Sequence, residues 1–351
     1  MLSQIDKQIL RAHLLPRLDK LLGRAPAGGP RLAVVGNCQS YGIAYAMKVL
    51  APSAQVDHYS VVHKTFANVE RLATTLEGYD RVFLQNFPAG IVRGGDYEDL
   101  LSRLTKVTRM PSLVFAAFQP DLVYLLDATR GNKPLNGPLR AYHSALAVFA
   151  FRVGLSIQEA NALFNDNVFA TVGYYDIWNA SARELIDEAK SYFGFDFSSD
   201  LMSWSRRGVF MYSIVHPKPF VLATVARRLL ETMRIPIENE NFDDYAIDDL
   251  ARSEIFPVYP EIAARLGVNG GYLFKRGNYH ISHGVGEFLT LPQFLAASYA
   301  AYKRNRPEQI AHPRVDAWLS DPALSRRLVG LAKENLAKGA TPVLSSEFRQ
   351  D

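Results

Sequence analysis

Leu32-Ala33-Val34-Val35-Gly36-Asn37-Cys38-Gln39-Ser40 decides the fold of this chain, because it runs from a buried strand into a helix and places the only cysteine in the turn. Its four apolar residues, small or β-branched for the most part, read as a strand covered on both faces. Gly36 and Asn37 end that strand. From Ser40 the run Tyr41-Gly42-Ile43-Ala44-Tyr45-Ala46-Met47-Lys48-Val49-Leu50 brings apolar groups round at helical spacing, with Ser40 as an early polar cap. Cys38 is then expected at the carboxyl end of a strand and near the positive end of a helix dipole. Such a place favours a phosphate, a thiolate or a developing oxyanion. A strand-turn-helix elbow also exposes the nucleophile in many hydrolases and acyltransferases. The plainer alternative is a cysteine packing as a small hydrophobe, and spacing alone leaves both open.

Outward from this turn the pattern alternates. Gln55 to Val62 reads as a second strand, Asn68 to Leu76 as a helix, Arg81 to Phe87 as a third strand and Tyr97 to Leu104 as a helix. Ser112 to Ala116 reads as a fourth strand running into Ala117-Phe118-Gln119-Pro120-Asp121. Strands alternating with helices predict an α/β fold with a doubly wound parallel sheet, and ligands of such sheets gather outside the carboxyl ends of the strands. Chemically useful groups stand at three of those ends: Cys38 with Gln39, Gln85 with Asn86, and Gln119 with Asp121. A helical insertion follows over about 139–205, with helices at Tyr142 to Val153, Ser156 to Leu163 and Ala180 to Phe193; Ser156-Ile157-Gln158-Glu159 has the capping-box pattern. Phe210 to Val215 is a β-like run ending in His216-Pro217, and Phe220 to Met233 is an amphipathic helix. Residues 253–286, rich in Pro, Gly and aromatics, read as a long loop with short strands, and Leu291 to Tyr302 and Asp316 to Lys338 as further helices.

A length of 351 residues suits one large or two ordinary domains. The reading divides it into an N-terminal segment 1–30, an α/β domain 31–302 and a C-terminal helical extension with a loose tail, 303–351. A composition 48% hydrophobic and 21% charged is that of a globular protein. The net charge of +4, with no basic stripe, argues against nucleic acid and admits a phosphorylated small ligand. One cysteine excludes an internal disulfide framework and a Cys-based zinc cluster. No apolar run approaches the roughly 20 residues of a membrane helix, and the N-terminus lacks the apolar core of a signal peptide, so a cytoplasmic location is expected. Residues 1–24 set Ile5, Ile9, Leu14 and Leu18 against Lys7, Arg11, Arg17 and Lys20, the pattern of a basic amphipathic helix. It would dock on the main body or, failing that, on a protein partner or membrane surface.

Gly36-Asn37-Cys38-Gln39 after the first strand, Gln85-Asn86 at a later strand end, Phe118-Gln119-Pro120-Asp121, and His216-Pro217 before a helix follow one another in that order. Together, over about 31–302, they resemble the WcbI family of capsular-polysaccharide biosynthesis proteins, read as acetyltransferases. The resemblance implies an SGNH-like, flavodoxin-like fold, coenzyme A or acetyl-CoA as donor, and transfer of the acyl group to a hydroxyl of a sugar or polysaccharide acceptor. It puts Cys38 where SGNH enzymes keep their serine, His216 where they keep their histidine, and Gln85 or Asn86 near the asparagine of their oxyanion hole. Those enzymes carry an aspartate three residues before the histidine. Here that position is Ser213, so the orienting carboxylate of a hydrolase triad is missing.

Acyl transfer needs a base, donors aimed at the oxyanion and a pocket that holds the thioester. His216, with an imidazole that titrates near neutrality, is the expected base. Cys38 has two readings: a nucleophile activated by His216 and the helix end, or a bystander lining the thioester pocket while His216 activates the sugar hydroxyl. The backbone amides of Cys38 and Gln39, with the side chain of Gln39 or Asn86, are the oxyanion candidates. Gly36, Asn37 and Gln85 are the cofactor-binding candidates of the turn. Coenzyme A phosphates call for Arg and Lys; among Lys64, Arg93, Arg206, Arg207, Lys218, Lys275 and Arg276, the preferred groups are Arg206, Arg207, Lys275 and Arg276. His280 and His283 have no third ligand at a characteristic spacing, so no metal is expected, and Asp243, Asp244, Asp248 and Asp249 read as a solvated helix start. The rivals are a glycan esterase or deacetylase of the same fold, a phosphonucleotide-dependent transferase such as a sulfotransferase, and a non-catalytic capsule-assembly protein. The second is disfavoured because the turn lacks the P-loop Lys and the Gly-x-Gly-x-x-Gly series.

Overall fold

A computed structural model describes residues 29–61, 68–127, 133–277 and 287–342. Contacts divide the chain into two units: one from the described parts of Met1–Leu113, Glu184–Trp204 and His216–Leu250, the other from those of Val114–Arg183, Ser205–Val215 and Ala251–Asp351.

In the first unit β1 (Arg31–Gly36) leads into α1 (Cys38–Leu50), followed by β2 (Gln55–Ser60), α2 (Val69–Leu76), β3 (Arg81–Gln85), α3 (Tyr97–Ser102) and β4 (Val107–Met110). The strands form a parallel sheet in the order β2-β1-β3-β4, with Val34 level with His58 and Phe83, and Gln85 level with Met110. β1 is buried from Leu32 to Gly36, as an inner strand covered on both faces must be. Alternation along the strands puts Ala33, Val35, Val82 and Leu84 into one cluster with Leu72, Leu76 and Leu100 of α2 and α3. Later in the chain β5 (His216–Pro217) precedes α4 (Pro219–Thr232), and both pack against α1. The two helices lie so close that a Cβ on Gly42 would fall 2.4 Å from Leu222 Cδ1.

Two local expectations are corrected here. The cap of α1 is Asn37 rather than Ser40: Asn37 Oδ1 accepts the Gln39 N–H at 3.0 Å, while Ser40, inside the first turn, donates its hydroxyl back to the Asn37 carbonyl. The fourth strand is Val107–Met110 rather than Ser112 to Ala116. After Pro111 the backbone finds its partners outside a ladder, since Leu113 bonds through both its N–H and its carbonyl to the Gln39 side chain, and the Phe115 N–H donates to the Ile214 carbonyl.

The second unit pairs Leu122–Tyr124 antiparallel with Tyr142–Ser144, and Leu273–Lys275 with Phe288–Thr290. Tyr142 to Ser144 is therefore strand, and the helix expected there is Ala145–Arg152, capped by Ser144. The Ser156/Glu159 capping box forms in front of the helix Ile157–Ala162. Residues 253–286 are less irregular than their composition suggests, because Pro260–Leu266 is a helix with proline in its first turn and Gly267 left-handed at its end. Asp316 to Lys338 is divided between Pro313–Ser320 and Pro322–Ala337, the second started by Asp321 as cap. Buried Asp121 accepts the Tyr174 and Tyr259 hydroxyls at 2.6 Å each and the Leu146 N–H at 3.0 Å. Buried His143 bonds to Tyr302 Oη at 3.1 Å and to the Leu135 carbonyl at 3.0 Å. The helix expected over residues 1–24, the linker up to Gly28, Lys64, His280, His283 and the tail beyond 342 lie outside the described residues. Among the described residues no helix is long and apolar enough to cross a membrane.

Candidate functional site

The turn after β1 is built from interlocked amides. A Cβ on Gly36 would lie 2.6 Å from both Cβ and Oε1 of Gln85, so the contact requires glycine. Buried Gln85 accepts the Asn37 N–H on Oε1 at 3.1 Å and donates Nε2 to the Pro111 carbonyl at 2.9 Å. Buried Gln39 donates Nε2 to the Leu113 carbonyl at 2.8 Å and accepts the Leu113 N–H at 3.0 Å. Asn37 Nδ2 donates to Ser112 Oγ at 3.1 Å. These bonds tie the end of β1 to the end of β3 and to the chain beyond β4, where the strand order reverses between β1 and β3. Open α/β sheets bind their ligands at that position.

Cys38 is the first residue of α1 and half-buried. Burial pushes its thiol up to about 11; the backbone N–H groups of Cys38 and Gln39 pull the other way, and the Asp249 carboxylate adds to the rise. Desolvation therefore outweighs the helix end, and the group is a thiol at neutral pH. Ser40 Oγ stands 2.8 Å from His58 Nε2. Because the hydroxyl proton goes to the Asn37 carbonyl, the imidazole is the donor in this pair. His216 is 6% exposed in β5, a strand that packs on the same helix Cys38 begins.

A cleft of about 800 Å³ runs from Asn86, Phe87 and Ser112, beyond the carboxyl ends of β3 and β4, past Tyr97 and Glu98 at the start of α3, to Glu184, Asp187, Glu188, Tyr192 and Phe193. Burial and the neighbouring Glu184 raise the Glu188 carboxyl. Arg109, also in the lining, lies 3.9 Å from Glu98.

The structure brings together Gly36, Asn37, Cys38, Gln39 and Gln85 at the turn, and Asn86 lines the cleft. The side chains of Gln39 and Gln85 are spent on Leu113, Asn37 and Pro111, so here they hold the turn in shape. Arg206, Arg207, Lys275 and Arg276 belong to the other unit. There Lys275 Nζ donates to the Ser253 carbonyl at 2.9 Å and Arg276 pairs with Glu287 at 2.7 Å, whereas Arg206 and Arg207 are exposed. Ser213, where a hydrolase would keep its aspartate, is buried and donates to Tyr142 Oη at 3.2 Å. Sequence reasoning missed His58 as a partner of the turn, Asp249 as a charge acting on the thiol, and the cleft wall 184–193. No local pattern marks any of them: Glu184, Asp187 and Glu188 have the spacing of a solvated helix face.

A parallel four-stranded sheet, with a half-buried cysteine opening the helix that follows its strand β1, makes this an α/β protein. A family model described as "Polysaccharide biosynthesis enzyme WcbI" matches residues 31–238, and the chain belongs to the WcbI family. It is also similar to a solved structure of WcbI, described as a novel polysaccharide biosynthesis enzyme, in a native form without a disulfide bond between coenzyme A and a cysteine. The TM-score is 0.59 and the identity 13%, with 86% of this chain and 99% of that one covered, so the fold is shared. No curated protein matches the chain.

Proposed function

We propose that this protein transfers an acyl group, acetyl in the first instance, from coenzyme A to a sugar hydroxyl in polysaccharide biosynthesis, on a doubly wound, SGNH-like core. The observation that carries the reading is Cys38 at the start of α1 with the strand of His216 packed on that helix, taken with the solved WcbI structure whose description names coenzyme A and a cysteine, in a form without a disulfide bond between them. The helix end, with amides directed at the Cys38 sulfur, suits the thioester end of the donor. His216 takes the proton of the sugar hydroxyl as its oxygen attacks the thioester carbonyl. The carbon–sulfur bond then breaks, and the proton passes to the departing thiolate. Cys38 lines the site without becoming acylated, because a thiol pushed up to about 11 supplies little nucleophile at neutral pH.

The decisive measurements are calorimetric titration with coenzyme A and an acetyl-transfer assay on sugar acceptors. His216→Ala is expected to slow transfer by about 10²–10⁴-fold with the circular dichroism unchanged, Cys38→Ala to retain transfer, and the unaltered protein to show no acetyl on its intact mass after incubation with acetyl-CoA. Absence of coenzyme A binding overturns the reading. Hydrolysis of a simple acetyl ester without coenzyme A favours the esterase instead.

A further inference from the structure

The cleft beside the turn has a chemistry that coenzyme A phosphates do not match. Four carboxylates line it, Glu98, Glu184, Asp187 and Glu188, against one guanidinium, Arg109, which already faces Glu98 at 3.9 Å. A pyrophosphate or a 3′-phosphate would meet repulsion there. The remaining walls are aromatic and amide. Phe87 meets Tyr97 edge-on with ring centroids 5.9 Å apart, Tyr192 and Phe193 form a second pair at 6.2 Å, and Asn86 and Ser112 lie at the sheet end. Carboxylates accept from hydroxyls without competing as donors, and aromatic faces cover the apolar side of a pyranose ring. Ser112 accepts from Asn37, the cap of the helix that Cys38 begins, so the cleft and the thiol are joined by one hydrogen-bonded turn.

We infer that this cleft is the acceptor site and takes an uncharged, hydroxyl-rich sugar ring, with Asp187 and Glu184 receiving its hydroxyls and Tyr192 stacking on its face; that a sugar is the occupant rests on the acyl-transfer reading above. Tyr192 is 65% exposed, so its replacement leaves the core intact.

The test uses the full chain and two titrations. Saturation-transfer NMR with the methyl glycosides of glucose, galactose and mannose is expected to show binding of at least one. The double variant Glu184→Gln, Asp187→Asn and the single variant Tyr192→Ala are each expected to weaken it about tenfold or more. Calorimetric affinity for coenzyme A is expected to stay the same in both. The inference is overturned if none of the three glycosides binds, if binding ignores these substitutions, or if coenzyme A affinity falls in their place. Should the glycosides follow the cleft while coenzyme A fails to bind the unaltered protein, the acyl-transfer reading falls and the cleft stands as a sugar-binding site without an acceptor role.

Discussion

The Cys38 turn of the first unit and the Asp121 cluster of the second are both buried polar knots, and they do opposite things. Around Asp121 every bond closes inward: two tyrosine hydroxyls and a backbone amide converge on one carboxylate that is wholly buried. Around Cys38 the amides of Gln39 and Gln85 are equally committed, yet the residue they frame is half-buried and the same turn reaches Ser112 in the cleft lining. A satisfied polar network is scaffolding. It can serve as more where one member also lines a space a ligand could fill, as Ser112 does here.

The contrast can be broken or sharpened by substitution. The largest effect is expected from Asp121→Ala, which strands two phenol hydroxyls and an amide without an acceptor and should cost about 3–5 kcal/mol in urea denaturation. A smaller loss would mean that the cluster admits water. Next comes acid, acting through His143, whose imidazole burial lowers to about 4. The unfolded chain binds a proton below about pH 6.5 that the folded one refuses, so stability should fall as pH drops from 6.5 towards 4, by up to about 3 kcal/mol. NMR should correspondingly find His143 neutral down to about pH 5.

On the other side of the comparison Gly36→Ala must displace Gln85, 2.6 Å away, from the Asn37 N–H, and should cost about 1–3 kcal/mol while weakening coenzyme A binding measured by calorimetry. Cys38→Ser should be the mildest, within about 1 kcal/mol of the parent protein in the same denaturation. A large loss there would place Cys38 with Asp121 as scaffolding.

β1, the turn and α1 were legible because an apolar run, a Gly-Asn break and a helical period all agree within twenty residues. The identity of the cap was not. Asn37 and Ser40 are both competent, and the choice falls to Asn37 because Ser40 has His58 as a second partner on the neighbouring strand. Gln119 and Asp121 look like Gln85 and Asn86 in sequence. What separates them is the pair of tyrosines that arrive from 53 and 138 positions away. The helix Pro260–Leu266 was hidden by the glycines and prolines averaged around it, although its own proline start and glycine stop are regular signals. The cleft was illegible because its walls come from 86–112 and 184–193, and no period in either segment refers to the other.

Gly42 stands one turn into the helix that Cys38 opens, and the side chain it admits, Leu222, belongs to the helix that follows His216. That missing methyl works as a keyway. It fixes the register in which the two helices slide together, and with it the offset between the sulfur-bearing and imidazole-bearing ends. Enlarging residue 42 would shift Cys38 and His216 relative to each other without touching either, which makes a glycine with no chemistry of its own the gauge that sets their spacing.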